Sequence, residues 1–237
     1  MPNRRKIQTK IKMKSLSKYI QEKLVIKKNK YKYFPQTKEE LEGIIKKRIK
    51  DEGNKVDLND IDVSNITDMS NLFEGEIYFN GNISNWDVSN VKDMRFMFYK
   101  CKSFNCDISN WDVSNVKDMS RMFLRCEKFD QDISKWDVSN VKYMVRMFFG
   151  CEKFNSNISA WNVSNVTDMR GMFFECELFN QDISKWNVSN VTYMNNMFGN
   201  CTSFNQNLSA WDVSNVKSIG DIFYNCPIEE KYKPKFK

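Results

Sequence analysis

Aspartate is the residue type that recurs in this chain at a spacing that could support chemistry. One position of a 25-residue period holds Asp62, Asp87, Asp112, Asp137 and Asp212, with Asn162 and Asn187 in the two remaining places. Carboxylates can act in acid–base catalysis or bind calcium through their oxygens. The chain has no histidine, which removes the commonest general base and the Ser–His and Cys–His nucleophile pairs. Because catalysis needs unlike residues at single positions and this row reuses one, we predict a non-enzymatic protein without catalytic residues. Calcium binding is the weaker alternative for the row.

The seven cysteines are the second candidate for chemistry, as metal ligands. Six of them keep the 25-residue period, at Cys101, Cys126, Cys151, Cys176, Cys201 and Cys226, and Cys106 lies outside it. Zinc sites need four convergent ligands, commonly in Cys-x-x-Cys pairs with or without histidine, and the chain has neither. We therefore predict buried thiols, with no metal and no cofactor.

These rows are positioned by a repeat. Tryptophan keeps the same period, at Trp86, Trp111, Trp136, Trp161, Trp186 and Trp211, and a degenerate first copy begins at Ile61. A fixed period of this length indicates a solenoid, in which each unit packs on its neighbours. The registers give about seven units, and their stacking favours an extended binding surface over an enclosed pocket.

Each unit is predicted to contain one strand and one helix. Ile108, Trp111 and Val113 include the alternation of a half-buried strand. Residues 116–126 place apolar side chains at i, i+3, i+6, i+7 and i+10, which is typical of one helical stripe, and Asn115 is in position to cap that helix. The predicted fold class is α/β, a solenoid of about seven 25-residue strand–helix coils with a parallel one-layer sheet.

The two ends of the repeat array are predicted to be covered. Thr37-Lys-Glu-Glu40 resembles a capping box that opens a helix ending near Gly53, and this helix would cap the first coil. At the other end, Ile228, Tyr232 and Phe236 remain to cover the last coil. The predicted division is a basic leader at 1–30, disordered or partly helical, a helical cap at 31–57, the solenoid at 58–226 and a basic tail at 227–237.

Charge is divided unevenly along the chain. Residues 1–50 carry 17 Lys and Arg against 4 Asp and Glu, residues 51–226 carry 16 against 24, and the tail carries 4 against 2. The leader could bind nucleic acid or another polyanion, contact the acidic solenoid, or act as a solvated terminus. No nucleic-acid-binding motif accompanies it. The candidate polyanion-binding residues are Arg4, Arg5, Lys6, Lys10, Lys12 and Lys14.

The repeat unit resembles a known family. Cys-x-x-Phe, Ile-x-x-Trp-x-Val and Val-x-x-Met-x-x-Met-Phe-x-x-Cys recur over 58–226 and resemble the BspA-like leucine-rich repeats of bacterial surface proteins and mycoplasma lipoproteins. The resemblance implies a leucine-rich-repeat solenoid that binds proteins, often as an adhesin, with no catalytic residues. Such proteins usually carry an export signal, whereas this N-terminus shows no apolar stretch. The expected location is therefore cytoplasmic or virion-associated, with the cell surface as the family-based alternative.

The predicted function is binding of a protein partner through the exposed sheet face beside the tryptophans. The predicted contact residues are Asn85, Asp87, Asn110, Asp112, Lys135, Asp137, Asn162, Lys185, Asn187 and Asp212. A rival surface is the apolar row Tyr99, Leu124, Phe149, Phe174, Gly199 and Tyr224, if it is exposed; core packing is the alternative for that row. Two other functions stay open: a polyanion-associated protein tethered by the leader, and an architectural protein that self-associates through the solenoid ends.

Overall fold

The computed structural model describes residues 16, 19–27 and 30–236. Its helices there are the α-helix Lys38–Glu52 and the short 3-10 helix Glu230–Tyr232, and residues 19–27 are also helical. The candidate polyanion-binding residues Arg4, Arg5, Lys6, Lys10, Lys12 and Lys14 lie outside the described residues. No helix in the described part of the chain is long and apolar enough to cross a lipid bilayer.

The predicted α/β strand–helix solenoid is wrong. Residues 58–226, all of which are described, contain no α-helix and no strand, and each 25-residue unit is a succession of tight turns. The segment predicted as a helix has left-handed backbone at Arg121 (φ 59°) and Arg125 (φ 63°). An α-helix needs negative φ at every residue, so these two positions exclude it. Every unit repeats the pattern at the same two places.

Parallel backbone hydrogen bonds join each unit to the next through this same segment. The N–H groups of Arg121 and Phe123 donate to the carbonyls of Val145 and Met147, at 2.8 and 2.9 Å. The intervening N–H groups close local turns, as in the bond from Met122 N to Met119 O at 3.2 Å. A row of single parallel bridges runs from residue 68 to residue 218 in steps of 25. We call residues 93–100 and their equivalents in the other units the ladder segment.

The ladder segment explains why a helix was predicted. A chain of three-residue turns returns side chains to the core at i, i+3 and i+7, nearly the period of an α-helix. The hydrophobic pattern therefore could not distinguish a chain of three-residue turns from an α-helix. Here alternate N–H groups donate to carbonyls of the neighbouring unit, whereas in an α-helix every N–H group would donate to a carbonyl of the same helix, parallel to its axis.

Aromatic side chains stack along the array to form the core. The indole rings of Trp86, Trp111 and Trp136 lie parallel with centroids 6.5 Å apart. Phe98 and Phe123 stack at 5.6 Å, and both are fully buried. Each indole N–H donates to a buried carbonyl 28 residues earlier in the chain. These bonds satisfy the one polar group of each tryptophan and fix its orientation.

Asparagine provides a second link between units. The side-chain amide of Asn115 donates to the carbonyl of Ser89 at 2.8 Å, and Asn140 repeats this contact with Ser114. The predicted role of Asn115 as a helix cap is therefore wrong, because it binds the preceding unit instead. The same bond recurs at Asn90, Asn165, Asn190 and Asn215.

The prediction of buried thiols is confirmed for most of the cysteine row. Cys126 is fully buried and its Sγ–H donates to the carbonyl of Phe98 at 3.0 Å. Burial raises the pKa of the Cys126 thiol well above its ordinary value. Cys101, Cys151, Cys176 and Cys201 are buried in the same way, whereas Cys106 and Cys226 are only half-buried. All seven cysteines are free.

The predicted covers are present at both ends. Thr37 accepts a hydrogen bond from the Glu40 N–H at 3.2 Å, and the helix ends at Gly53 with φ 85°. Leu41 and Ile45 on this helix are buried, while Lys38 reaches Ser70 of the first unit. At the other end Ile228 is buried, and the side chains of Tyr232 and Phe236 pack against the core. The division of the chain at residues 30, 57 and 226 stays a prediction.

Candidate binding face

The ten residues predicted to bind a partner beside the tryptophans are all exposed. They do not lie on a sheet face, because the units contain no strands, and they belong to the tight turns around each tryptophan instead. Asp112 accepts hydrogen bonds from the backbone N–H of Ser114 at 3.0 Å and from its hydroxyl at 2.6 Å. Asn162 accepts the same pair from Ser164. The carboxylate or amide at this position therefore closes a turn, which explains why either residue fits.

These turn hydrogen bonds also affect the acidity of the row. The hydroxyl of Ser139 and then its backbone N–H lower the pKa of Asp137 below its ordinary value. The residues before the tryptophans, such as Lys135 and Lys185, are exposed at the next turn. The structure thus places the ten predicted residues in parallel exposed rows, and partner binding by them stays a prediction.

A different surface is formed by the outward side chains of the ladder segments, which we call the ladder face. The backbone there is fixed by hydrogen bonds to both neighbouring units. Four outward positions per unit vary strongly while the core positions between them stay constant. They hold Arg95, Phe96, Tyr99 and Lys100; Arg121, Leu124 and Arg125, with a buried Ser120 at the fourth position; Val145, Arg146, Phe149 and Gly150; Arg170, Gly171, Phe174 and Glu175; and Asn195, Asn196, Gly199 and Asn200.

Arginines on the ladder face lie over aromatic rings. The guanidinium carbon of Arg121 is 5.1 Å from the centre of the Phe96 ring. Arg125 and Arg146 both approach Phe149, at 5.2 and 5.8 Å, and Arg170 lies 5.2 Å from the centre of the Tyr193 ring. This stacking holds the planar guanidinium groups in place and leaves their edges free to donate hydrogen bonds.

The arginines differ in whether a carboxylate neutralises them. Arg170 pairs with Asp168 at 2.6 Å, and Arg125 pairs with Glu175 at 2.8 Å across two units. Arg121 and Arg146, which occupy the same position in consecutive units, have no carboxylate within 4 Å among the described residues. Among the ladder-face arginines, these two therefore carry positive charge that no nearby carboxylate compensates.

A cavity of about 560 Å³ opens on the ladder face beside Arg146. Its aromatic wall includes Phe149 and Phe174, which stack at 4.7 Å, together with the exposed ring of Tyr193. A Cβ on Gly171 would lie 3.1 Å from the Cγ of Arg146, so the glycine lets the arginine side chain lie close to the backbone there. The remaining lining residues are Arg170, Asn195, Asn196 and Ser218.

The chain matches one protein family along most of its length. Residues 41–159 and 130–234 match the family described as "Mycoplasma protein of unknown function, DUF285". The chain belongs to the DUF285 family. No curated protein and no solved structure matched it. The family match confirms the mycoplasma part of the resemblance, but it does not confirm the leucine-rich-repeat assignment.

In this DUF285 chain the rival apolar row is on the surface. Tyr99, Leu124, Phe149 and Phe174 are half-buried and Tyr224 is exposed, so these side chains lie on the ladder face and core packing does not account for them. The fully buried aromatic positions are the neighbouring ones, such as Phe98.

The arginines of the ladder face were missed from the sequence. A helix through residues 116–126 would also place Arg121 and Arg125 on one face, as i and i+4 neighbours, but the row that the arginines form between units was not recognised. The available signal was variability: outward ladder positions change between units whereas Met, Phe and Cys do not. In the described part of the chain no group of three or more Cys, Asp or Glu side chains converges on a common point that could hold a metal ion.

Proposed function

We propose that this DUF285 protein is a non-enzymatic module that binds a protein partner through its ladder face. The observation that carries the proposal is the row of stacked arginine and aromatic side chains at variable positions of a regular backbone. Arginine, tyrosine and other aromatic residues are enriched at the energetic centres of protein interfaces. A patch of half-buried Phe149 and Phe174 beside open guanidinium groups combines both features.

The backbone supports this role because it is already ordered. In each ladder segment every second N–H donates to the next unit, and carbonyls accept from the preceding unit. Binding of a partner would therefore cost little conformational entropy in this backbone. Variation confined to the outward side chains then sets specificity, while the constant core keeps their positions.

Charge disfavours nucleic acid as the ligand of the repeat array. Residues 51–226 carry 16 basic and 24 acidic residues, a net charge of −8, so the repeat array lacks the predominantly basic composition that is typical of nucleic-acid-binding domains. Positive charge is local to the ladder face. The tryptophan-flanking row is the second candidate surface, because Lys135 and Lys185 are exposed and vary with alanine between units.

The test compares two variants with equal changes in charge. The ladder variant carries Arg121→Asn and Arg146→Asn, since Asn196 occupies the same left-handed position with φ 56°. The row variant carries Lys135→Ala and Lys185→Ala, since alanine occupies that position in two other units. Each loses two positive charges without introducing a residue foreign to the repeat.

Each variant and the unmodified protein are used to capture partners from native lysate at about 0.15 M salt, with nuclease treatment in parallel. We expect a discrete protein that the row variant retains and the ladder variant loses. Retention by the ladder variant and loss from the row variant would move the site to the tryptophan-flanking row. Capture that disappears with nuclease would contradict protein binding.

A further inference from the structure

We propose that the cavity beside Arg146 binds an acidic peptide segment of the partner, with a carboxylate on Arg146 and an aromatic side chain against Phe174 and Tyr193. This proposal rests on the protein-binding function above and assigns its partner chemistry. The cavity volume of about 560 Å³ lies within the roughly 300–1,000 Å³ of known ligand pockets.

The preference of the cavity for a carboxylate follows from the one of its two guanidinium groups that makes no ion pair within the described chain. Arg170 lines the same cavity, but its guanidinium group already donates to the carboxylate of Asp168. Its Nε lies 2.9 and 3.0 Å from the two carboxylate oxygens, and its Nη2 lies 2.6 Å from Oδ2. Arg146 has no ion pair in the described chain, and its stacking on Phe149 leaves the hydrogen-bonding edge accessible. A planar carboxylate is the group that this fork binds with two parallel bonds.

The aromatic preference follows from the other wall. Phe149 and Phe174 stack on each other at 4.7 Å and are half-buried, while 41% of the Tyr193 surface is exposed. Apolar surface of this kind remains hydrated until a partner covers it, and aromatic pairs gain energy beyond the area that they bury.

Glycines keep the cavity open, and other units show what closes it. A Cβ on Gly199 would lie 2.7 Å from two carbons of the Phe174 ring, so any side chain there would displace that wall. In the preceding unit the equivalent of Gly171 is Arg146 itself, and the equivalent of Tyr193 is Asp168. An open arginine beside a glycine and an exposed tyrosine therefore occurs at residues 146–196 and not one unit earlier.

The experiment measures binding of a fluorescein-labelled glutamate–tyrosine copolymer to the full-length chain by anisotropy at about 0.15 M salt. Polyglutamate and polyuridylate serve as the comparison probes. Three variants are measured: Arg146→Asn, Tyr193→Ser, which places the residue of position 218 there, and Lys117→Thr as the matched control, which removes one positive charge outside both candidate surfaces and places the residue of position 167 there. Circular dichroism verifies that each variant is folded.

We expect the copolymer to bind and polyglutamate to bind at least fivefold more weakly. Arg146→Asn is expected to weaken copolymer binding tenfold or more, Tyr193→Ser at least threefold, and Lys117→Thr less than twofold. Equal effects of Arg146→Asn and Lys117→Thr, equal binding of polyglutamate, or no binding of the copolymer would each overturn the proposal. Tighter binding of polyuridylate that also depends on Arg146 would overturn it in favour of a nucleic-acid ligand.

The outcome is separable from that of the proposed function. If lysate capture depends on the ladder face but the copolymer does not require Arg146, protein binding stands and the cavity chemistry is wrong. If neither depends on the ladder face, both proposals fail.

Discussion

Replacing Trp111 by phenylalanine tests whether the indole stack and its hydrogen bonds hold the units together. Trp111 lies parallel to two other indoles, those of Trp86 and Trp136, at 6.5 Å on each side. Its N–H donates to the Ile83 carbonyl at 3.2 Å, and 3% of its surface is exposed. Trp211 is the matched control, because its N–H makes an equally long bond to Ile183 while its ring meets Phe198 at a tilt of 39°.

The expected cost follows from these contacts. Both variants remove one of two hydrogen bonds to a buried carbonyl, at about 1 kcal/mol, because the carbonyls of Ile83 and Ile183 keep the bonds from the backbone N–H groups of Trp86 and Trp186. Both also vacate the space of the missing ring, at about 1 kcal/mol. Trp111→Phe also loses part of two parallel aromatic pairs, each worth about 0.5–1.5 kcal/mol. We expect Trp111→Phe to lower the free energy of unfolding by about 3 kcal/mol and Trp211→Phe by about 2 kcal/mol.

Urea unfolding followed by far-ultraviolet circular dichroism and by tryptophan fluorescence measures both values. The two probes need to coincide, because arrays of repeats can unfold in parts. Equal destabilisation by the two substitutions would refute the contribution of parallel stacking. A loss below about 1 kcal/mol for Trp111→Phe would refute the cost assigned to the lost hydrogen bond and the vacated space together.

Three further predictions concern the links within and between units. Asn140→Ala removes one inter-unit hydrogen bond and is expected to lower the free energy of unfolding by about 1 kcal/mol in the same urea assay; no change would show that water replaces the bond. In the native protein a maleimide reagent at pH 8 is expected to label Cys106 and Cys226 within minutes and the other five cysteines only after unfolding, as read by mass spectrometry; rapid labelling of all seven would contradict the buried row. Asp137→Asn is expected to leave stability at pH 7 unchanged, because Asn162 makes the same turn bonds. The pKa of Asp137 is lowered in the folded state, so its stabilisation is present above the unfolded pKa and is lost as the pH falls through the folded value. Asp137→Asn should therefore reduce the loss of stability below about pH 4, and an unchanged acid profile would contradict this assignment.

The sequence by itself determined the repeat, its period, most of the core and the covers at its ends. Tryptophan, phenylalanine and cysteine recur every 25 residues because each unit buries the same side chains against the next. The helix after Thr37 was predictable from its capping residues, since a cap depends on chemistry within one turn of chain. Burial of thiols such as Cys126 followed from the same regular register.

Only the tertiary structure decided the conformation inside each unit and the surface that results from it. Apolar spacing alone fits both an α-helix and a chain of three-residue turns. The left-handed backbone at Arg121 and Arg125 costs roughly 1–2 kcal/mol per residue for a side chain other than glycine, and nothing local in arginine favours it. The packing of one unit on the next compensates for this cost, because the N–H groups of both residues then donate to carbonyls of the next unit, at 2.8 and 2.7 Å. The same geometry turns the arginines and their aromatic neighbours outward, and for this reason the ladder face could not be located before the units were placed side by side.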